Sequence, residues 1–177
     1  MEREVNGGVT VEIVEGDISS QDDMDVVVNA ANAELTSGGG VAGAIHQAAG
    51  PGLAEESRPL SPIQPGEAVI TGGHELPNRH VIHVLGPVYG SDKPEDELLA
   101  QCYRNALSLA EEHDLKSVAF PSISTGAFGY PVEEGAEVAL QTVLESAENL
   151  QSIRRIRFVL HGEENFEAYK RVLLRLL

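Results

Sequence analysis

Short runs of apolar and β-branched residues alternate along this chain with longer segments whose apolar residues recur at helical spacing. The short runs predict six strands, at residues 9–15, 26–29, 67–71, 79–85, 117–121 and 155–161. The longer segments predict helices at residues 41–49, 95–113, 132–148 and 163–177, with a possible short helix near 53–58. Strands that alternate with helices favour a layered α/β fold in which the central strands are mostly parallel.

The same pattern separates central strands from edge strands. Val26, Val27 and Val28 are apolar on both faces, as expected for a strand covered by helices on either side. Residues 9–15 alternate apolar and polar positions, which is more typical of an edge. Residues 50–66 are rich in Pro and Ser and predict a surface connection. With 177 residues and 42% apolar content, the chain is expected to form a single domain over residues 1–177.

The charge of the chain argues against two classes of partner. Its 28 acidic and 12 basic residues give a formal net charge of −16, which repels nucleic-acid backbones and anionic membranes. The only tight basic cluster, formed by Arg154, Arg155 and Arg157, lies at the start of a predicted strand and favours a solvated edge. The acidic excess and scarce lysine also resemble proteins of salt-adapted organisms, in which surface carboxylates keep the protein in solution.

The cysteine and histidine positions argue against metal chemistry. Cys102 is the only cysteine, which excludes an internal disulfide and fits a reducing compartment, and its apolar neighbours predict a buried structural thiol. His80 and His83 are three residues apart on a predicted strand, so they face opposite sides and do not share a metal. No signal peptide or membrane-spanning run is present. We therefore expect a cytoplasmic monomer without a metal or cofactor.

Two glycine-rich loops carry the candidate chemistry. One spans Gly38 to Gly43 and enters the helix predicted at 41–49, and the other spans Ser124 to Gly129 after the strand predicted at 117–121. Glycine exposes backbone N–H groups and a helix start adds partial positive charge, so both loops suit phosphate. Neither loop contains Lys or Arg, so amides and dipoles would meet the charge. A diphosphate that bridges the loops is the simplest common ligand.

Two better-known phosphate motifs do not fit. The first loop formally satisfies the G-x-G-x-x-G pattern of dinucleotide-binding folds, but eight residues separate Asn29 from Gly38, whereas those glycines follow their strand almost at once. In addition, no acidic residue closes a second strand about twenty residues later. A P-loop is excluded because no Gly-Lys-Ser/Thr sequence follows.

Five motifs together resemble the macrodomain family over nearly the whole chain. They are GDIS at 16–19, VNAAN at 28–32, GGGV at 38–41, VIHVLGP at 81–87 and SISTGAFGYP at 122–131. The chain is especially similar to archaeal and bacterial macrodomains of the MacroD and related groups. This resemblance implies a three-layer α/β/α fold with a mixed, mostly parallel six-stranded sheet, and ADP-ribose or an ADP-ribosylated protein as the partner.

The resemblance also implies roles for individual residues. Asp17 would accept a hydrogen bond from the adenine amino group beside the Ile18 backbone, or would simply cap a turn. His161 would stack on adenine or lie at the surface. Asn32 would bind the distal ribose, while Asn29 would tie loop backbone together. The other implied ligand-binding residues are Ala30, Gly39, Gly40 and Val41 near the first loop and Pro121, Ser122, Ser124, Thr125, Gly126, Ala127 and Phe128 near the second, where Phe128 could equally pack the loop.

Catalysis is the least determined property at this level. Hydrolytic MacroD-type members carry an aspartate where this chain has Ala42, yet the matching histidine is present as His46, which would be catalytic or would pack beside the loop. A water held by the ligand's own phosphate could replace the missing base, with Asn32 positioning the ribose. This favours hydrolysis of mono-ADP-ribose esters on proteins or of O-acetyl-ADP-ribose. The alternatives are a non-catalytic ADP-ribose reader and an ADP-ribose 1″-phosphate phosphatase.

Overall fold

The computed structural model describes residues 1–177 as seven strands, five α-helices and two short 3₁₀ helices. The strands are β1 (Glu2–Val5), β2 (Val9–Glu15), β3 (Val26–Ala30), β4 (Ala68–Gly72), β5 (His80–Val84), β6 (Ser117–Phe120) and β7 (Arg155–Leu160). The helices are α1 (Gly40–Ala49), α2 (Pro51–Ser57), α3 (Glu95–Glu112), α4 (Val132–Ala147) and α5 (Glu163–Leu176), with 3₁₀ turns at Asn6–Gly8 and Arg58–Leu60. None of these helices is long and apolar enough to cross a bilayer.

All seven strands form one mixed sheet in the order β1-β2-β7-β6-β3-β5-β4. The five central strands β2, β7, β6, β3 and β5 are parallel, and the outer strands β1 and β4 are antiparallel to their neighbours. The carboxyl ends of the central strands therefore meet at one edge of the sheet, where ligands collect in open α/β folds. The predicted α/β fold with a mostly parallel sheet is confirmed.

The sheet has one strand more than the sequence pattern predicts. β1 is short, and Glu2, Arg3 and Glu4 are exposed, so it carries no hydrophobic signal. It forms because it pairs with β2 and because the Met1 ammonium donates to the Ile13 carbonyl at 3.0 Å. The expectation that residues 9–15 form an edge is therefore wrong, since β2 is paired on both sides.

Alternate residues of the central strands face two different helical layers. Val26 and Val28 of β3 pack in the larger core, which contains residues of α3, α4 and α5. Val27 lies in the opposite core with Ile45 of α1 and Leu53 of α2. The architecture is thus three-layered, and Cys102 of α3 is fully buried in the larger core, where burial raises its pKa to about 12, as expected of a structural thiol.

Within the basic cluster, Arg154 and Arg155 remain solvated as the sequence suggests, whereas Arg157 does not. The Arg157 side chain is only 11% exposed and makes two bonds of 2.7 Å to the Asp23 carboxylate and one of 3.3 Å to Glu12. Arg157 also donates to the Gln21 side chain at 2.9 Å. Because Asp23 and Gln21 belong to the segment between β2 and β3, this arginine fixes that segment to β7.

Candidate functional site

A cleft of about 720 Å³ opens at the carboxyl edge of the parallel strands. Segments that follow all five of these strands line it, so its walls are loops held on a rigid frame. The lining residues are Gly16, Asp17, Ile18, Ala30, Ala31, Asn32, Gly38, Gly39, Gly40, Val41, Ala42, Ala44, Gly86, Pro121, Ser122, Ile123, Ser124, Thr125, Gly126, Ala127, Phe128, Val159, His161 and Asn165. Every residue predicted to bind the ligand lies in this lining, whereas the candidate catalytic residue His46 does not.

The first glycine-rich loop delivers the start of α1 into the cleft. Gly39 is the N-cap residue, no side chain caps the helix, and no acidic residue lies in its first turn. The first amides of α1 therefore have no partner within the helix and carry the positive end of its dipole. This wall offers N–H donors to an anion.

The second loop forms the opposite wall and is held in a strained conformation. Ser124 has a φ of 68° in the left-handed region, which non-glycine residues rarely adopt. Its carbonyl accepts from the Tyr130 amide at 2.9 Å, and Gly126 accepts from Gly129 at 3.0 Å, so the loop is closed by its own backbone. The buried Ser124 hydroxyl has no partner within the protein. No Lys or Arg lines the cleft, as the sequence predicts.

Asp17 follows β2 and lies at the end of the cleft that is next to β2 and β7. Its Oδ1 accepts from the backbone N–H of Ser19 at 2.9 Å and from the Ser19 hydroxyl at 2.6 Å, and these bonds hold the pKa of the carboxyl below its usual value. Asp17 therefore caps a turn and also stays ionised at neutral pH. Its second carboxylate oxygen makes no bond to the protein, so the turn and the binding roles are compatible in geometry.

The two asparagines of the VNAAN motif have different surroundings, and only Asn32 lies in the cleft lining. Asn32 closes its own loop, because its Oδ1 accepts from the Thr36 amide at 3.0 Å and its Nδ2 donates to the Thr36 carbonyl at 3.1 Å. Asn29 does not tie loop backbone together, so that prediction is wrong. It is fully buried, and its Nδ2 lies 3.1 Å from Nδ1 of His83 in the neighbouring strand β5. The sequence could not reveal this pair because β5 lies far from β3 along the chain.

The structure does not place His46 in the lining of the cleft. The side chain is 6% exposed and faces the interior, where its ring centroid lies 6.4 Å from that of His83. Burial lowers the pKa of His46, and its Nε2 has no hydrogen-bond partner. Burial also lowers the pKa of His83 to about 4, so both rings are neutral at pH 7. His80 does not take part in this pair, because its Nδ1 lies 3.1 Å from the Thr71 carbonyl oxygen.

The β7 end of the cleft contains one polar residue that the sequence motifs miss. His161 is exposed at the rim, and its carbonyl accepts from Nδ2 of Asn165 in the first turn of α5 at 2.9 Å. Asn165 belongs to no glycine-rich motif, and only the start of α5 two residues earlier could have indicated it. The other unpredicted lining residues are Gly16, Ala31, Gly38, Ala42, Ala44, Gly86, Ile123 and Val159. All of these except Ala44 and Val159 adjoin predicted residues or belong to a recognised motif.

Comparisons with known proteins agree with this geometry. The Macro domain family model matches residues 28–139. An O-acetyl-ADP-ribose deacetylase of Klebsiella pneumoniae is 45% identical over 170 residues, covering 93% of this chain and 97% of that protein. The ADP-ribose glycohydrolase MACROD2 of Xenopus laevis is 47% identical over 92% of this chain and 40% of that protein. A solved structure of an Oceanobacillus iheyensis macrodomain with ADP superimposes with a TM-score of 0.93 at 43% identity, covering 99% of this chain and 95% of that one.

Proposed function

Since this chain belongs to the macrodomain family, we propose that it binds ADP-ribose in the cleft and hydrolyses esters of the distal ribose. The substrates are O-acetyl-ADP-ribose and mono-ADP-ribose esters on the acidic side chains of proteins. Two relatives that are more than 40% identical carry names of this hydrolase class, which supports the assignment. An ester bond is common to both substrates, so one site serves both.

The cleft between the two glycine-rich loops is the observation that carries the proposal. Its volume of about 720 Å³ suits a ligand of nucleotide size. Two opposed walls of backbone amides and hydroxyls, without a single ammonium or guanidinium group, suit a diphosphate lying between them. The carboxylate of Asp17, placed away from these walls, suits a neutral base that presents an amino group.

These features orient the ligand along the cleft. Asp17 and the Ile18 backbone bind adenine, with His161 against the ring. The diphosphate lies against the start of α1 and the second loop. Asn32 and Phe128 hold the distal ribose, because the Asn32 amide keeps one N–H that Thr36 does not use.

The proposed chemistry relies on position more than on a strong base. Ala42 lies in the cleft lining but carries no group that could activate water, and His46 faces away from it. A ligand phosphate oxygen would then hold the attacking water, while Asn32 and the loops fix the ribose ester in reach. The expected turnover is slow. The water oxygen adds to the ester carbonyl carbon, the bond from that carbon to the ribose oxygen breaks, and a water proton passes to the ribose oxygen, which gives the free carboxylic acid and ADP-ribose.

A non-catalytic reader of ADP-ribose is the second candidate. The same two observations favour it, namely the alanine at position 42 and the interior orientation of His46. Incubation with O-acetyl-ADP-ribose and with a mono-ADP-ribosylated glutamate peptide separates the two candidates. Release of ADP-ribose above the uncatalysed rate supports the hydrolase, whereas binding without release supports the reader. If calorimetric titration detects no ADP-ribose binding at millimolar concentration, both candidates are wrong.

The proposal extends to the cellular setting of the protein. The protein acts as a single-domain monomer in the cytoplasm, with ADP-ribosylated proteins as partners and without binding nucleic acid or membranes. The lone buried cysteine and the net charge of −16 support this view. We also propose that the acidic surface serves salt adaptation. The melting temperature should then rise when KCl is increased from about 0.1 to about 2 M, including the upper part of this range, where repulsion between the surface charges is already screened.

A further inference from the structure

A buried tyrosine of α5 is joined by hydrogen bonds to the second glycine-rich loop. Tyr169 is fully buried, and its hydroxyl donates to the Ser122 Oγ at 3.2 Å. Ser122 Oγ in turn lies 2.6 Å from Oγ1 of Thr125. The hydroxyl chain Tyr169–Ser122–Thr125 thus runs from the core to the cleft, where both Ser122 and Thr125 belong to the lining.

The direction of the protons in this chain follows from the Tyr169 donation. A hydroxyl carries one proton and can accept two hydrogen bonds. Once Ser122 Oγ accepts from Tyr169, its own proton is best used toward Thr125, since donors and acceptors that alternate along a chain polarise one another. The Thr125 proton is then left free to point into the cleft. In the opposite direction, Thr125 would donate to Ser122 and present only lone pairs to an anion, which is unfavourable.

The orientation of Thr125 is also restricted by packing. A Cβ built on Gly135 of α4 would lie 3.0 Å from the Thr125 methyl, so the methyl group already fills the space above that glycine. With the methyl group against α4, the hydroxyl stays on the side of Ser122. Rotation of Thr125 to find its own proton acceptor elsewhere in the protein is therefore opposed by sterics.

We propose that Tyr169 is a positioning residue for anion binding: it sets the direction of the hydroxyl chain so that Thr125 presents a donor to the phosphate. This inference rests on the proposed function, because the phosphate is that of ADP-ribose. It adds a core residue that never touches the ligand to the determinants of affinity.

Tyr103 supplies the matched control. It is also a fully buried tyrosine, and its hydroxyl lies beside that of Tyr169 but makes no hydrogen bond to Ser122 or Thr125. Tyr169→Phe and Tyr103→Phe remove the same atom from the same core. We expect Tyr169→Phe to weaken ADP-ribose binding about three- to tenfold in calorimetric titration, the range of one ordinary hydrogen bond, because the Thr125 donor is misdirected and not removed. Tyr103→Phe should stay within about twofold of the wild type.

A double-mutant cycle separates positioning from general loosening of α5. In the Thr125→Val background, the donor is already absent, so Tyr169→Phe should cause no further loss of affinity. If Tyr169→Phe lowers the affinity in that background as much as it does in the wild type, the inference is wrong. It is also wrong if Tyr169→Phe binds ADP-ribose like the wild type, or if Tyr103→Phe loses as much affinity as Tyr169→Phe. If Tyr169→Phe does not fold, Ser122→Ala interrupts the same chain and is held to the same criteria.

The wild-type titration distinguishes the two levels of failure. If the wild-type protein does not bind ADP-ribose, the proposed function is wrong and the inference falls with it. If the wild type binds and the cycle shows no coupling between Tyr169 and Thr125, the inference alone is wrong and the proposed function stands.

Discussion

Replacement of Gly86 by alanine tests how tightly the second loop is packed against the sheet. Gly86 is buried after β5, and a Cβ at this position would overlap the Ser124 Oγ and lie 2.7 Å from Cγ2 of Ile123. Neither atom can yield easily, because Ile123 is fully buried and Ser124 is already in a strained left-handed conformation. Overpacking of this kind costs about 1–3 kcal/mol.

The expected result has two measurable parts. At about 3 °C per kcal/mol for a chain of this length, Gly86→Ala should melt about 3–9 °C below the wild type. Because the shift displaces the amides around Ser124, affinity for ADP-ribose should fall about ten- to a hundredfold in calorimetric titration. Adding Ser124→Gly should recover part of the stability, since it removes the overlapping hydroxyl and suits the positive φ.

Gly72→Ala is the control, because its Cβ would meet only the Glu56 side chain at 3.5 Å, an ordinary contact far from the cleft lining. It should change the melting temperature by less than about 2 °C and leave the affinity unaltered. The reasoning fails if Gly86→Ala melts and binds like the wild type, or if Gly72→Ala loses as much.

Three further predictions concern the anchors and chemistry of the site. Arg157→Met should lower the free energy of unfolding by about 1.5–3 kcal/mol in urea titrations, since this side chain is only 11% exposed and loses its bonds to Asp23, Glu12 and Gln21. Arg155→Met, whose side chain is 42% exposed, should cost less than about 1 kcal/mol, because Arg157 still pairs with Glu12; equal losses would contradict the role of Arg157 as the more buried partner. Ala42→Asp should raise the rate of O-acetyl-ADP-ribose hydrolysis about tenfold or more, because it adds a carboxylate that can orient water in the cleft. An unchanged or lower single-turnover rate in a folded variant would argue against a water site beside position 42. Finally, the pKa of His83 is about 4 in the folded protein, whereas histidine in the unfolded chain binds a proton near pH 6.5. His83 should therefore lower the free energy of unfolding by about 3 kcal/mol as the pH falls from 6.5 to 4. Urea unfolding of the wild type and of His83→Gln at several pH values should show this difference in slope, and parallel curves would exclude it.

Local patterns in the sequence account for the backbone framework and for the membership of the site. Six of the seven strands carry hydrophobic runs, and glycine-rich segments at their carboxyl ends mark where ligand loops begin. In a parallel sheet, those ends necessarily share one edge, so the motif residues come together without any knowledge of side-chain packing. β1 was not predicted because its residues are mostly exposed and form no hydrophobic pattern, and the strand is stabilised by its pairing with β2.

The sequence by itself determined which loops line the cleft and most of their residues, the absence of basic side chains in the two loops and the alanine at position 42, but not Asn165. Only the tertiary structure decided which way side chains face and what they touch. His46 points to His83 instead of the cleft, Asn29 pairs with β5, and Tyr169 reaches the second loop. The physical reason is that backbone conformation depends mainly on neighbours in sequence, whereas hydrogen-bond partners and close contacts join segments distant in the chain.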